Sequence, residues 1–259
     1  MGIWVLDLDG VVWCGGVALP GAVLATLELV ERGHELVFCT NHAMSGASKR
    51  TRLDELGVAP GSVLTSGEVA AANCRPGERV LVLGDPTLVG TFRSFGHDTC
   101  DVFELPEDGP VPPCDVVVVG AAPYWDRSRI GLAADGVRAG ARLLATNADP
   151  THPARGAVGA RLLPGNGALV AAIATAAGAA AEFVGKPEAA MVDQLRSRHG
   201  PVEMVVGDKP ETDGELAVAL GARFALVLSG VTSESDLPVA PSPDVVAPDL
   251  GTLVASLDR

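Results

Sequence analysis

The feature that most restricts the fold of this chain is a repeated alternation of short, mainly apolar runs with longer segments of helical periodicity. Runs at 3–8, 35–39, 204–206 and 224–228 predict strands, and the segments 21–32, 45–56 and 213–220, each followed by a glycine, predict helices. Strands that are apolar on both faces are typical of a parallel sheet with helices packed on both sides. We therefore predict an α/β fold built on a parallel sheet.

The middle of the chain repeats this pattern and indicates a second α/β unit. Its predicted strands lie at 79–83, 115–119 and 143–145, and its predicted helices at 86–95 and 128–139. The stretch NCRPGE, with its proline and glycine, is a candidate hinge ahead of these elements. We predict that residues 76–183 form a unit inserted into a first one made of residues 1–75 and 184–259.

Composition excludes several classes of partner and location. The net charge of −13 would repel polyanions, so we expect no nucleic-acid partner and no anionic membrane surface. No apolar run reaches the roughly 18 residues of a membrane-spanning helix, and no basic leader predicts a signal peptide. The five cysteines show no CxxC spacing, so we expect reduced thiols in a cytoplasmic protein.

Two carboxylates follow the first predicted strand in the sequence Asp7-Leu8-Asp9-Gly10. Strand alternation would place Asp7 and Asp9 on one side, and Gly10 permits a tight turn. Carboxylates this close repel each other unless a cation lies between them, and oxygen donors suit Mg²⁺. A polar turn at a strand end is an equally good interpretation of these four residues alone.

Three further polar segments follow predicted strands. Cys39-Thr40-Asn41-His42 offers a hydroxyl, an amide and backbone N–H groups to a phosphate oxygen, although a helix cap and turn are the favoured interpretation of this segment alone. Gly185-Lys186-Pro187 contains one of only three lysines, and Pro187 is expected in the first turn of a helix. In Val206-Gly207-Asp208, Asp208 is a candidate metal ligand. Asp213 is a candidate neighbour of the metal ligands or a helix cap.

These segments, in this order, resemble the four motifs of haloacid dehalogenase-type phosphatases: DLDGVVW, CTN, GKP and GDKPETD. ATNADPTHP, PGNGALVAAI and VGKPEAAM extend the resemblance to the NagD-like subclass, which includes p-nitrophenyl phosphatases, nucleotidases, and pyridoxal-phosphate or phosphoglycolate phosphatases. The resemblance covers nearly the whole chain. It implies a Rossmann-like catalytic core with a large inserted α/β cap, and often a homodimer formed through that cap.

The resemblance also implies roles for the residues of the four motifs. Asp7 would be the nucleophile that forms an aspartyl-phosphate, and Asp9 the general acid and base. Mg²⁺ would be held by the Asp7 carboxylate, the Asp9 backbone carbonyl and Asp208, with Asp213 beside them. The set expected to stabilise the phosphate oxygens is Thr40, Asn41 and Lys186.

Four residues are candidates for selecting the leaving group. Asn147, Asp149 and His152 form a polar cluster that is predicted to lie in a proline-containing loop of the cap. His42 occupies a position where the subclass often has asparagine. The substrate is expected to be a small phosphorylated metabolite, such as a nucleotide, a sugar or polyol phosphate, phosphoglycolate or p-nitrophenyl phosphate.

Two alternatives to a phosphatase stay open at this stage. A phosphotransferase or mutase would pass the same aspartyl-phosphate to another hydroxyl instead of water. A non-catalytic ligand-binding protein would keep the fold with a relict site, although the joint presence of Asp7, Asp9, Lys186 and Asp208 argues against it. A dinucleotide-binding enzyme is rejected, because Gly165-Asn166-Gly167 lacks the rest of that fingerprint and follows no clear strand.

Overall fold

The computed structural model describes residues 2–156 and 159–257. The chain forms two compact units, each made from segments that are discontinuous in sequence. The first unit comprises Met1–Thr40, Gly46–Leu64 and Lys186–Arg259. The second comprises Asn41–Ser45 and Thr65–Gly185.

The elements of secondary structure are numbered in chain order. The strands are β1 (Ile3–Leu6), β2 (Trp13–Cys14), β3 (Val17–Ala18), β4 (Glu35–Thr40), β5 (Ser62–Thr65), β6 (Arg79–Leu83), β7 (Asp98–Asp101), β8 (Val116–Val119), β9 (Arg142–Ala145), β10 (Thr151–Gly156), β11 (Gly159–Pro164), β12 (Ala181–Phe183), β13 (Val202–Gly207), β14 (Arg223–Val227) and β15 (Val245–Ala247). The α-helices are α1 (Ala22–Glu31), α2 (Gly46–Glu55), α3 (Ser66–Asn73), α4 (Pro86–Ser94), α5 (Arg127–Arg138), α6 (Asn166–Ala177), α7 (Ala189–His199), α8 (Glu215–Leu220) and α9 (Leu250–Ala255).

A six-stranded sheet forms the centre of the first unit, in the order β15-β14-β13-β1-β4-β5. β1 pairs in parallel with both β13 and β4, so that Leu6 lies opposite Val206 and Phe38. Trp4, Leu6 and Phe38 are almost fully buried, in the core that this sheet forms with α1 and α9. The predicted α/β class with a parallel sheet is confirmed. Because parallel strands end at one edge, the residues that follow β1, β4 and β13 come close together.

The second unit has its own sheet, in the order β12-β9-β8-β6-β7, and its strand pairs are parallel. β10 and β11 form a separate antiparallel hairpin. Helices α5 and α6 pack on the five-stranded sheet and bury a core that includes Leu81, Val117, Leu143 and Ile173. Within the described residues, no helix is long and apolar enough to cross a membrane.

Three local predictions were wrong. β1 ends at Leu6, so strand alternation does not relate Asp7 to Asp9. α7 begins at Ala189 with Glu188 as its N-cap, so Pro187 lies before the helix and not in its first turn. His152 lies in β10, paired with Leu163, and not in a loop, because the partner strand β11 comes from a segment in which no strand was predicted.

Candidate active site

Asp7 and Lys186 meet at the carboxyl edge of the first unit's sheet. Asp7 directly follows β1, and its backbone N–H donates a hydrogen bond of 2.9 Å to Val206 O. Lys186 Nζ lies 2.6 Å from Asp7 Oδ1 and 3.0 Å from Cys39 O. Asp7 is 9% exposed and Lys186 5%. The ammonium group is therefore held against the carboxylate where water has little access.

Asp213 is a second carboxylate on the same lysine. Its Oδ1 lies 2.6 Å from Lys186 Nζ, and its Oδ2 accepts the backbone N–H of Lys209 at 3.2 Å. The residue is fully buried in a π-helical turn, Pro210–Gly214, which precedes α8. Such turns are rare in proteins, and those that occur often lie at functional sites. Lys186 thus bridges two buried carboxylates that are far apart in sequence.

Asp208 follows β13 and is held by the loop after β14. Its Oδ2 accepts the backbone N–H of Val231 at 2.6 Å. Gly10 lies against the same carboxylate: its φ is +90°, and a Cβ atom there would lie 2.3 Å from Asp208 Oδ2. Both the backbone conformation and the close contact require glycine at this position. The DLDG turn is therefore fitted to Asp208.

The electrostatics of this group are dominated by burial. Burial raises the pKa of the Asp7 carboxyl well above its usual value, Lys186 opposes the shift, and the charges of Asp213 and Asp208 add to it. Burial, followed by the charge of Asp213, raises the pKa of Asp208 to about 6. Burial disfavours the charged form of Lys186, but Asp213 and Asp7 outweigh it and raise the lysine pKa. When all three carboxyl groups are ionised, their negative charge therefore exceeds what one lysine compensates.

The same three carboxylates can bind a cation. Among the described residues, one oxygen each of Asp7, Asp208 and Asp213 lies within 4.8 Å of the others. Carboxylate oxygens are the ligands that Mg²⁺ prefers, and a divalent ion would offset the excess negative charge. Both oxygens of Asp213 are engaged, by Lys186 and by the Lys209 backbone N–H, whereas the hydrogen bonds described above engage one oxygen of Asp7 and one of Asp208. Asp7 and Asp208 are therefore the better placed of the three to bind the ion. The donor set therefore fits Mg²⁺.

Two other predicted site residues lie in the first unit. Asp9 is exposed and forms an isolated β-bridge with Trp13, so its side chain is not one of the three clustered carboxylates. Thr40 is the last residue of β4 and is buried. It directly follows Cys39, whose carbonyl oxygen accepts the Lys186 hydrogen bond.

The second unit holds Asn41 in a network of hydrogen bonds. Asn147 Nδ2 donates to Asn41 O at 2.8 Å, and Asn41 Nδ2 donates to Asp149 Oδ2 at 3.2 Å. The backbone N–H of Asp149 donates to Asn147 Oδ1 at 3.1 Å. Three of the predicted site residues are thus joined directly, and Asn147 and Asp149 contact Asn41 by both its carbonyl and its amide.

The two histidines singled out from the sequence lie elsewhere in the second unit. His42 is half-buried, and its Nδ1 accepts the backbone N–H of Met44 at 3.4 Å. His152 is exposed on β10. Neither histidine is among the residues that bond to Asn41 in the network described above.

Comparisons with known proteins assign the chain to a family. Residues 4–98 match the profile of a family described as haloacid dehalogenase-like hydrolase, and residues 183–253 match one described as HAD-hydrolase-like. D-glycerol 3-phosphate phosphatase of Mycobacterium tuberculosis is 38% identical over 240 residues, which cover 89% of this chain and 64% of that protein. The chain therefore spans just under two thirds of that relative.

The match to a second relative covers nearly the whole length of both proteins. Ribonucleotide monophosphatase NagD of Escherichia coli is 30% identical over 245 residues, which cover 92% of this chain and 91% of that protein. The chain belongs to the haloacid dehalogenase-like hydrolases. Within them it belongs to the NagD-like subclass, as its motifs predicted. The crystal structure of the M. tuberculosis glycerol phosphate phosphatase with magnesium superimposes on this hydrolase with a TM-score of 0.78 at 36% identity, over 97% of this chain and 76% of the other.

One residue of this haloacid dehalogenase-like hydrolase was missed as a site candidate. Lys49, on α2, places its Nζ 5.3 Å from the centroid of the Trp13 ring. Burial lowers the pKa of Lys49, and attraction to Asp9 and then to Asp7 opposes that shift. The scarcity of lysine in the sequence was the available signal, but no motif connects Lys49 to the acids.

Proposed function

We propose that this chain is a magnesium-dependent phosphatase that hydrolyses small phosphomonoesters through an aspartyl-phosphate on Asp7. The observation that carries the proposal is the buried contact of Lys186 Nζ with Asp7 Oδ1, beside Asp208 and Asp213. It places one strand-end carboxylate next to both a fixed cation and a candidate metal site. The relatives' names, glycerol-phosphate phosphatase and ribonucleotide monophosphatase, agree with this reaction class.

In the first step, an Asp7 carboxylate oxygen attacks phosphorus. A P–O bond to Asp7 forms as the P–O bond to the leaving group breaks. The departing oxygen takes a proton from the Asp9 carboxyl group, whose exposure gives it access to substrate and water. The products of this step are the free alcohol and the aspartyl-phosphate.

In the second step, a water molecule gives a proton to the Asp9 carboxylate and attacks the phosphorus. The bond between phosphorus and the Asp7 oxygen breaks, which releases inorganic phosphate and restores both aspartates. An alcohol in place of water would make the enzyme a phosphotransferase, with the same first step. The two outcomes differ in whether free phosphate appears.

Both steps concentrate negative charge on the phosphoryl oxygens. We assign their stabilisation to Lys186, Thr40 and Asn41. Asp213 keeps Lys186 charged and fixes its position through the 2.6 Å contact. When bound by Asp7, Asp208 and the Asp9 carbonyl, Mg²⁺ would reduce repulsion between the nucleophile and the phosphate dianion.

We propose that the second unit, which contains the predicted cap residues 76–183, acts as the cap that selects the leaving group. The side chains of Asn147 and Asp149 are engaged in hydrogen bonds with Asn41 and are therefore less available to contact a leaving group. We assign its selection to the other two candidates, His42 and His152. Glycerol phosphates and nucleoside monophosphates are the first substrates to test, since the relatives are named for them. A cytoplasmic location, a homodimer formed through the cap, and the absence of nucleic-acid and membrane partners stay predictions.

Phosphate release tests the proposal. Wild type and Asp7→Asn would be compared on p-nitrophenyl phosphate, glycerol 3-phosphate and a nucleoside monophosphate, with Mg²⁺ or with EDTA. We expect release that requires Mg²⁺ and is lost in the variant. No release by folded, magnesium-supplied wild type would reject the phosphatase. Alcohol-dependent loss of ester without free phosphate would instead show a phosphotransferase.

A further inference from the structure

The Gly165-Asn166-Gly167 segment has no part in the proposed chemistry, yet it is tightly packed against the Asn147–Asp149 segment. The backbone N–H of Gly165 donates to Pro150 O and that of Gly167 to Asp149 O, each at 2.8 Å. A Cβ atom on Gly165 would lie 2.3 Å from Asp149 O, and one on Gly167 would lie 2.3 Å from Ala148 O. Only glycines allow this backbone-to-backbone contact. The start of α6 therefore fixes the backbone of residues 148–150.

The side chain of Asn166 adds further contacts to the same segment. The residue is buried, and its Nδ2 donates to Asn147 O at 3.0 Å, with Thr146 Oγ1 and Val119 O each at 3.4 Å. Rotating the amide would turn its oxygen toward two carbonyl oxygens, so these contacts fix its orientation. Its Oδ1 is buried without a hydrogen-bond partner among the described residues. Burying this oxygen without a partner costs free energy, and the same side-chain orientation lets Nδ2 hold the backbone of Asn147.

The hydrogen bonds continue from there to Asn41. Asn147 Nδ2 donates to Asn41 O, and Asp149 Oδ2 accepts from Asn41 Nδ2. Ser66 Oγ donates to the same Asn41 carbonyl at 2.7 Å. The chain of contacts thus runs from Asn166 through Asn147 and Asp149 to the residue that follows Thr40.

We infer that Asn166 and its flanking glycines position the phosphate-binding segment by fixing Asn147 and Asp149, which in turn fix Asn41. The inference rests on the proposed role of Asn41 in binding phosphate. Asn147, Asp149 and Asn166 are positioning residues in this scheme, because they act through Asn41. Since every substrate of a phosphatase carries the same phosphoryl group, their loss affects all esters equally. A residue that contacts the leaving group would affect different esters to different extents.

The test compares Asn166→Ala and Asp149→Ala with wild type. Asn73→Ala is the matched control, since Asn73 lies in the same unit and its Oδ1 accepts from Arg142, outside the network. We expect kcat/KM to fall by about 10- to 100-fold, the scale of the effect of a misplaced catalytic group. The factor should be the same for p-nitrophenyl phosphate, glycerol 3-phosphate and a nucleoside monophosphate. Asn73→Ala is expected to keep wild-type kcat/KM. Asp149 is only half-buried, so its variant keeps the test valid should Asn166→Ala fail to fold.

A double-mutant cycle identifies the route of the effect. In an Asn147→Ala background, Asn166→Ala is expected to cause little further loss, because the side chain that donates to Asn41 O is already gone. Equal losses in both backgrounds, no loss in either variant, or losses that differ between esters would overturn the inference.

Binding of inorganic phosphate with Mg²⁺, measured by calorimetry, tests the inference without turnover. We expect Asn166→Ala and Asp149→Ala to weaken phosphate binding by about tenfold or more, with Asn73→Ala unchanged. Unchanged affinity in both variants would overturn the inference. If wild type binds phosphate in this way but hydrolyses no ester, the proposed function fails and the inference about Asn166 stands.

Discussion

Lys186 and Asp213 form an ion pair that is almost completely removed from solvent. Nζ and Oδ1 are 2.6 Å apart, and the exposed fractions of the two side chains are 3% and 2%. A pair this buried gains little net stability over an apolar contact, but removing one partner leaves a charge that is poorly compensated. The pair therefore makes the position and charge of Lys186 depend on a residue 27 positions away.

Replacing Asp213 is expected to destabilise the fold. Asp213→Ala removes the acceptor of both the Lys186 ammonium group and the Lys209 backbone N–H, although Asp7 still contacts Lys186. We expect a loss of about 1–3 kcal/mol in the free energy of unfolding. Urea denaturation measures it. The control is Asp54→Asn, which removes the exposed ion pair with Arg50 and is expected to cost less than about 1 kcal/mol. A cost for Asp213→Ala no larger than that of the control would show that the buried pair is not structurally important.

Replacing Asp7 is expected to separate activity from stability. Asp7→Asn removes the proposed nucleophile, so kcat should fall by about 10⁴-fold or more. In the absence of divalent cations the variant should be at least as stable as wild type, because burial and two neighbouring carboxylates outweigh the attraction of Lys186 and disfavour the charge of Asp7. Thermal unfolding in EDTA checks the second point. A large fall in melting temperature would mean that the Asp7 charge contributes more to the fold than its surroundings indicate.

The stability of the metal-free protein is expected to fall as pH rises from 4 to 6. The pKa of Asp208 is about 6 in the folded chain against 3.8 in its ordinary state, so between these values the folded protein binds more protons than the unfolded one. Stability then decreases with rising pH, by about 3 kcal/mol from this group, and the raised pKa of Asp7 acts in the same direction.

Unfolding free energies in EDTA across this pH range measure the effect. Asp208→Asn should remove much of the slope, since its side chain does not titrate. Saturating Mg²⁺ should also oppose the slope, because the cation favours the ionised carboxylates. A pH-independent stability in EDTA for wild type would show that Asp208 ionises freely in the folded chain.

Lys49 is expected to contribute through its charge. Its attraction to Asp9 and Asp7 indicates that it adds positive potential near the proposed nucleophile. Lys49→Met keeps the length of the side chain that lies over Trp13 but removes the charge. We expect kcat/KM for a dianionic ester to fall about three- to tenfold and to depend less on ionic strength. Lys49→Arg, which keeps the charge, is the control; equal losses in both variants would point to packing and not to charge.

The architecture of this protein could largely be predicted from its sequence. Strands with apolar residues on both faces, such as β4 and β8, are stable only in a sheet covered on both sides, and the helices between them require parallel pairing. The hairpin of β10 and β11 escaped prediction because its two strands depend on pairing with each other and not on a local apolar run. Local pattern therefore determined the layers, and missed the elements whose stability is non-local.

The sequence by itself also determined that Asp7, Thr40, Lys186 and Asp208 follow predicted strands, since those positions depend on chain order and parallel pairing. Only the tertiary structure decided which side chains meet. It bonded Lys186 to Asp213, left Asp9 exposed, and joined Asn166 to Asn147. These outcomes depend on burial and on distances between segments that are remote in sequence. Ion pairs, pKa shifts and hydrogen-bond networks all vary steeply with those distances, and no local pattern encodes them.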